Sequence, residues 1–164
     1  MAQYLIDSNV FIQAKNLHYG FDFCPAFWEW LVLKNKAGIV ASVEKVRAEL
    51  LVIDDELSGW VDTLDEQFFL LPDERVMDSV QQVNEWVIHK QYRESAIRIF
   101  QQDADSWLIA HALALRSTVV THEVPADTAK KVKMPNVCTG LKLISMSPYE
   151  MLRRERANFV LGKS

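Results

Sequence analysis

Asp7, Glu49, Asp105 and Glu123 are the residues of this chain whose placement suits chemistry. Asp7 follows the apolar run Tyr4-Leu5-Ile6 and precedes Ser8 and Asn9, after which apolar residues resume at Val10, Phe11 and Ile12. An apolar run of that length fits a buried strand, and Ser or Asn ahead of a helical pattern fits a helix start. Asp7 is therefore expected at a strand's carboxyl end, and Glu123 follows the similar run Thr118 to His122. Two more acids fall on helices. At ~100° per residue, Leu108, Ile109, Ala112 and Leu115 all lie within about 80° of Asp105, which puts Asp105 on the buried stripe in a first helical turn. Asp103 falls on the opposite side. Glu49 lies about 60° from Val46 in the helical stretch from Val43 to Leu51, on the border of the apolar stripe.

Each acid has a plainer reading. Asp7 fits a helix cap, Asp105 fits a partner for first-turn amides, and Glu49 and Glu123 fit solvated surface. Taken together, carboxylates at strand ends and inward helix positions are costly to bury unless something neutralises them. A hard divalent cation with oxygen ligands does so, and Mg²⁺ or Mn²⁺ suits a set without His or Cys.

The elements that must position these acids alternate between strand and helix. Ser8 to Ala14 reads as a short helix, His18 to Cys24 as a loop, and Pro25 to Gly38 as a helix opened by Pro and closed by Gly. Ile39 to Ala41 reads as a strand, with Ser42 as cap of the helix that carries Glu49. Asp54 or Asp55 opens a further helix, and Phe68 to Leu71 forms a strand closed by Pro72. The stretch 73–102 reads as two helices broken around Gln91 to Glu94. The helix bearing Asp105, a strand at Ser117 to Thr121, another at Leu141 to Ser147 and a helix from Pro148 complete the pattern. Strands alternating with helices predict an α/β three-layer sandwich, a central and mostly parallel sheet flanked by helices. The least regular piece is 124–140, which reads as a surface loop or as a short basic helix with loops around it.

With 164 residues, 49% of them hydrophobic, the expectation is one domain over residues 1–164 with a sizeable core. Trp28, Trp30, Trp60, Trp86 and Trp107 sit in helical contexts and are expected mostly in that core. No apolar segment reaches the ~18 residues of a membrane span, and the N-terminus lacks a signal-peptide pattern, so the chain reads as cytoplasmic. Cys24 and Cys138 have no CxxC spacing and the histidines form no zinc-like array, which leaves packed thiols. A net charge of −4 argues against a broad nucleic-acid clamp and leaves room for a local basic groove.

Leu5-Ile6-Asp7-Ser8-Asn9, Val46-Arg47-Ala48-Glu49-Leu50, the stretch Ala104 to Ala114 and the stretch Thr118 to Glu123 occur in the order in which PIN-domain proteins carry their acids. The chain resembles that superfamily, and its closing segment from Lys131 to Leu152 resembles a bacterial PIN-like family close in outline to VapC-type toxins. The resemblance implies a metal-dependent endoribonuclease with Asp7, Glu49, Asp105 and Glu123 as catalytic and metal-binding acids, Mg²⁺ or Mn²⁺ as cofactor and RNA as substrate. Asp7 and Asp105 are then the main anchors, with Glu49 and Glu123 orienting water or holding a second ion. Ser8, Asn9 and Thr121 become groups that fix carboxylate orientation. Lys130, Lys131 and Lys133 become contacts to the RNA backbone. A toxin role implies an antitoxin protein, and such proteins are often homodimers. Two departures from the pattern stand out: the insertion between Glu49 and Asp105 is long, and a fifth acid has only Asp127 as a candidate.

Other classes fit less well. A phosphatase of the haloacid dehalogenase type wants a second Asp where Asn9 stands. A receiver domain wants a paired acid cluster and a late lysine, which are not evident. A PIN-like fold without catalysis, serving as a binding module, or an RNA-processing nuclease without a toxin role is the main alternative.

Overall fold

The computed structural model describes residues 2–162; Met1, Lys163 and Ser164, which the single-domain expectation takes in, lie outside the described residues. Five strands form an all-parallel sheet: β1 Tyr4–Ile6, β2 Val40–Val43, β3 Phe69–Leu70, β4 Thr118–Val120 and β5 Ser145–Met146. Their spatial order is β3-β2-β1-β4-β5, with Tyr4 opposite Val40 on one side and Thr118 on the other. A parallel sheet covered on both faces needs strands that are apolar on both sides. Accordingly Leu5, Ile6, Val40, Val43, Val119 and Val120 are fully buried.

Nine α-helices flank the sheet among the described residues: α1 Ser8–Gln13, α2 Pro25–Lys36, α3 Glu44–Leu51, α4 Glu56–Asp62, α5 Glu74–Ile88, α6 Glu94–Gln102, α7 Ala104–Leu115, α8 Met134–Gly140 and α9 Pro148–Arg154. Local chemistry sets several of their starts. The Asp55 carboxylate accepts from Ser58 N at 3.0 Å while Asp55 N donates to the Ser58 hydroxyl at 2.9 Å, a reciprocal cap that opens α4. Asp73 and Ser147 accept from Val76 N and Glu150 N to open α5 and α9. Between α5 and α6 the chain is pinned where Arg93 N donates to Ala129 O at 2.9 Å. Helix α7 is buried nearly all round, with Leu108, Ile109, Ala110 and Ala112 fully inaccessible. A helix so enclosed holds the side chains of its first turn in fixed directions.

Several local expectations are corrected. Ser42 does not cap α3; it lies within β2 and its hydroxyl donates to Ile6 O at 2.6 Å, leaving Val43 at the cap position. The short helix after Asp7 runs on as a π-helical turn, Ala14–His18, into the stretch that reads as loop. Only Phe69–Leu70 of the apolar run at 68–71 pairs as strand, because Glu66–Phe68 is a 3₁₀ turn. The helix inside 124–140 carries no basic residue, since Lys130, Lys131 and Lys133 all precede α8. The tryptophans follow expectation: Trp28 is buried, and Trp30, Trp60, Trp86 and Trp107 are partly buried and pack against the core.

The strand order has one consequence for the site. The chain leaves β1 toward β2 and β3, then returns across the sheet to β4 and β5 on the other side. Beyond the carboxyl ends of β1 and β4, successive connections diverge to opposite faces, and ligands of open α/β sheets bind in that crevice. Asp7 and Thr121 are the residues that immediately follow those two strands.

Candidate active site

Asp7 occupies the N-cap position of α1, in extended conformation, but its side chain makes no capping bond. The carboxylate turns across to the end of β4, where Oδ2 accepts from the Thr121 hydroxyl at 2.9 Å, and Oδ1 lies 3.4 Å from the Ser8 hydroxyl. Its neighbours force it inside. Leu5, Ile6, Val10 and Phe11 are at most 1% exposed, and each contributes roughly 1.5–3 kcal/mol by burial. That gain offsets the cost of holding Asp7 at 2% exposure between them. Burial, opposed by the Thr121 hydrogen bond and reinforced by the charges of Glu123 and Glu49, pushes the Asp7 carboxyl up to about 6.

Asp105 sits in the first turn of α7. Burial is the largest influence on it, followed by the charges of Asp7, Glu123, Glu49 and Asp103, and together they push it up to about 8. Among the described residues no hydrogen bond joins it to a first-turn amide, though it stands where the helix dipole favours an acid. The amide of Ala104, at the start of α7, is taken instead by Glu49 Oε1 at 3.1 Å, so an acid of α3 caps a helix 55 residues further on. Glu123 is tied similarly: Oε2 accepts from Met134 N, the first residue of α8, at 2.8 Å, and Oε1 lies 3.5 Å from Lys131 Nζ.

The four sequence-chosen acids thus form one electrostatic group at the ends of β1 and β4. Thr121 links two of them, its hydroxyl donating to Asp7 and accepting from Glu123 N at 3.1 Å. Asn9 stitches the same edge, its Oδ1 accepting from His122 N at 3.3 Å. Lys130 and Lys131 line a small cavity of about 40 Å³ together with Asp103 and Asp105. Lys133 is the cap residue of α8, and no ion pair joins it to the acids among the described residues. Asp127 stands apart on the wall of a larger cleft beside Trp86.

Among the described residues no three His, Cys, Asp or Glu side chains stand so as to hold a metal ion between them. The expected cage of four carboxylates is not formed in these rotamers, because Glu49 and Glu123 each commit an oxygen to a helix amide. The donor chemistry still fits a hard cation held by fewer protein ligands. Mg²⁺ is commonly bound by one or two carboxylates with water and phosphate oxygens completing the shell. Asp7 and Asp105 have the carboxyls that burial and the neighbouring acids raise toward neutral pH, so a cation there would take over the role of their protons.

The structure adds residues that the sequence reading left out. His122 lies next to His18 and Tyr149, with ring centroids 5.5 Å and 5.7 Å away, and the Tyr149 hydroxyl is 3.0 Å from His18 Nε2. His18 ends the π-helical turn, a feature frequent at functional sites. The one sequence signal was the position of His122 between Thr121 and Glu123.

Fold and site together define an all-parallel α/β protein with a group of carboxylates at its topological switch point, Asp7 buried, Asp105 and Glu123 half-buried and Glu49 exposed. Residues 4–159 match the model of a domain of unknown function, DUF4411, and the chain belongs to that family. No curated protein and no solved structure matches the chain.

Proposed function

We propose that the chain is a PIN-like, Mg²⁺- or Mn²⁺-dependent endoribonuclease that hydrolyses RNA phosphodiester bonds. The observation that carries this reading is the pair Asp7 and Asp105 at the switch point of the sheet, Asp7 driven upward by burial and the charges of Glu123 and Glu49, Asp105 by burial and the charges of Asp7, Glu123 and Glu49. Asp7 and Asp105 hold the cation, and Thr121 fixes the direction of the Asp7 carboxylate. Glu49, through the oxygen not bonded to Ala104 N, and Glu123, on exchanging Lys131 for water, would orient the attacking water and receive its proton. The Lys131 ammonium, paired with Glu123, would contact the phosphate. When bound, the cation supplies an activated water and neutralises the charge that develops on the phosphate.

Divalent-dependent cleavage of a single-stranded RNA by the wild type, lost in Asp7→Asn and Asp105→Asn with the fold retained, is the expected result. Equal cleavage by all three proteins would discard the assignment.

The commitment of Glu49 and Glu123 to helix amides favours a second reading, a PIN-like binding module without catalysis. Calorimetry in which neither Mg²⁺ nor Mn²⁺ binds would select it. As the toxin of a toxin-antitoxin pair, the chain would arrest growth on expression and be relieved by a neighbouring gene's product; as an RNA-processing nuclease it would not. An apolar cleft of about 480 Å³ lined by Phe21, Pro25, Trp28, Leu33 and Trp60 offers a face for an antitoxin helix or a second copy of the chain. Light scattering with and without the partner separates those occupants.

A further inference from the structure

A second cleft, of about 490 Å³, opens between the last turn of α5, the link to α6, the segment 126–129 and α8. That volume lies within the ~300–1,000 Å³ of small-molecule sites. Trp86 forms part of its wall and also lines a neighbouring cleft of about 440 Å³, so the indole stands as a ridge between two open spaces. The ring is seated against bare backbone, since a Cβ at Gly140 would come within 2.1 Å of Trp86 Cζ2. Lys90 Nζ sits 4.9 Å from the ring centroid, a cation poised at the aromatic face.

The remaining wall is polar and directional. Asn136 Oδ1 accepts from Ala126 N at 3.0 Å, which fixes the carboxamide, and among the described residues no bond uses its Nδ2 hydrogens. Asp127 supplies an exposed acceptor, and Tyr92 a second, half-buried ring. An aromatic face, a fixed amide donor, a carboxylate acceptor and an exposed cation match the parts of a nucleotide: a flat base, its hydrogen-bonding edge and a phosphate. Bases of single-stranded RNA are read in this way, unstacked from their neighbours and laid on aromatic side chains.

One segment joins this cleft to the acids. It leaves Glu123, passes the cleft at 126–129, where Ala129 O accepts from Arg93 N, and continues through Lys130 and Lys131 beside Asp105. It then returns at Met134, whose amide is bonded to Glu123. Lys131, Lys130 and Lys90 are thereby spread from the acid group to the indole.

We propose that this cleft binds one nucleotide of a single-stranded RNA, its base against Trp86 and its phosphate on Lys90, as a subsite of the strand that reaches the acids. The last clause rests on the nuclease reading; the binding of the nucleotide does not.

The test uses a fluorescein-labelled octanucleotide of single-stranded RNA in EDTA, which withholds the cation that cleavage would need, at low salt, with anisotropy as the affinity readout. The Trp86 indole N–H signal, identified with Trp86→Phe, reports the location. The wild type is expected to bind with a moving Trp86 signal. Lys90→Glu should weaken binding at least about fivefold and lower the slope of log affinity against log salt by about one, at unchanged melting temperature. Lys90→Gln gives the same direction should the charge reversal disturb folding. Absence of binding, or binding that leaves the Trp86 signal still and is indifferent to Lys90, overturns the proposal. Adenosine monophosphate binding as tightly as the octanucleotide would overturn the strand clause and leave a mononucleotide pocket. Mn²⁺-dependent cleavage of the unmodified octanucleotide, scored beside its Trp86 signal, keeps the two readings apart. Cleavage without any Trp86 response sinks the cleft alone. A Trp86 response without cleavage upholds the cleft and sinks the nuclease.

Discussion

Replacing Asp105 by Asn should stabilise the metal-free protein, by an amount that grows with pH. In the unfolded chain the Asp105 carboxyl loses its proton near the ordinary value of 3.8, whereas in the folded protein it keeps it until about 8. Between those values the unfolded state binds fewer protons, so the wild type loses stability as pH rises through the window and the loss levels off above it. Asn cannot ionise and escapes the loss. At about 1.4 kcal/mol per pH unit, the gain for Asp105→Asn is about 2 kcal/mol at pH 5, about 4 kcal/mol at pH 7 and about 6 kcal/mol at pH 9. Urea denaturation in EDTA at those three pH values measures it. Part of the Asp105 shift comes from the charge of Asp7, so adding Asp7→Asn should give less than the sum of the single gains. Saturating Mn²⁺ should erase the advantage of the variant, because a bound cation stabilises only the wild type. A gain that does not change with pH, or a loss at pH 9, would refute the placement of Asp105, half-buried, in a group of like charges.

Thr121→Val removes the hydroxyl that donates to Asp7 and accepts from Glu123 N; a loss of about 1–3 kcal/mol is expected, with Asp7 titrating higher than about 6 in a carboxyl-carbon NMR titration. His111 is buried and pushed down to about 4, so stability should fall by roughly 3 kcal/mol as pH drops from 6.5 to 4. His111→Gln should flatten that fall in urea midpoints measured across the same range. Mn²⁺ binding at pH 7 should release protons, seen as a dependence of the calorimetric heat on buffer ionisation enthalpy that Asp105→Asn largely removes.

Much of the site was readable along the chain because the physics that makes it is local. An apolar run ending in an acid marks a strand end, and 3.6-residue periodicity told Asp105 from Asp103. Those same signals fix the α/β alternation and place the acids at one sheet edge. What the sequence could not carry are partnerships made only in three dimensions. Asp7 looks like a helix cap locally, yet its carboxylate turns to Thr121, 114 residues away. Glu49 looks solvated on its own helix and is exposed, but one of its oxygens also caps α7, a bond the spacing does not announce. Ser42 has the composition of a cap, but sheet pairing captures its hydroxyl for Ile6 O. The approach of His18, His122 and Tyr149 depends on how the π-helical turn, the end of β4 and α9 meet, which no spacing encodes.

The most direct test is anomalous diffraction from crystals soaked in Mn²⁺. An ion within coordination distance of both an Asp7 and an Asp105 carboxylate oxygen is the predicted outcome, with water completing its shell. Crystals that take up Mn²⁺ elsewhere, or not at all, while these two carboxylates stay unbridged would contradict the account.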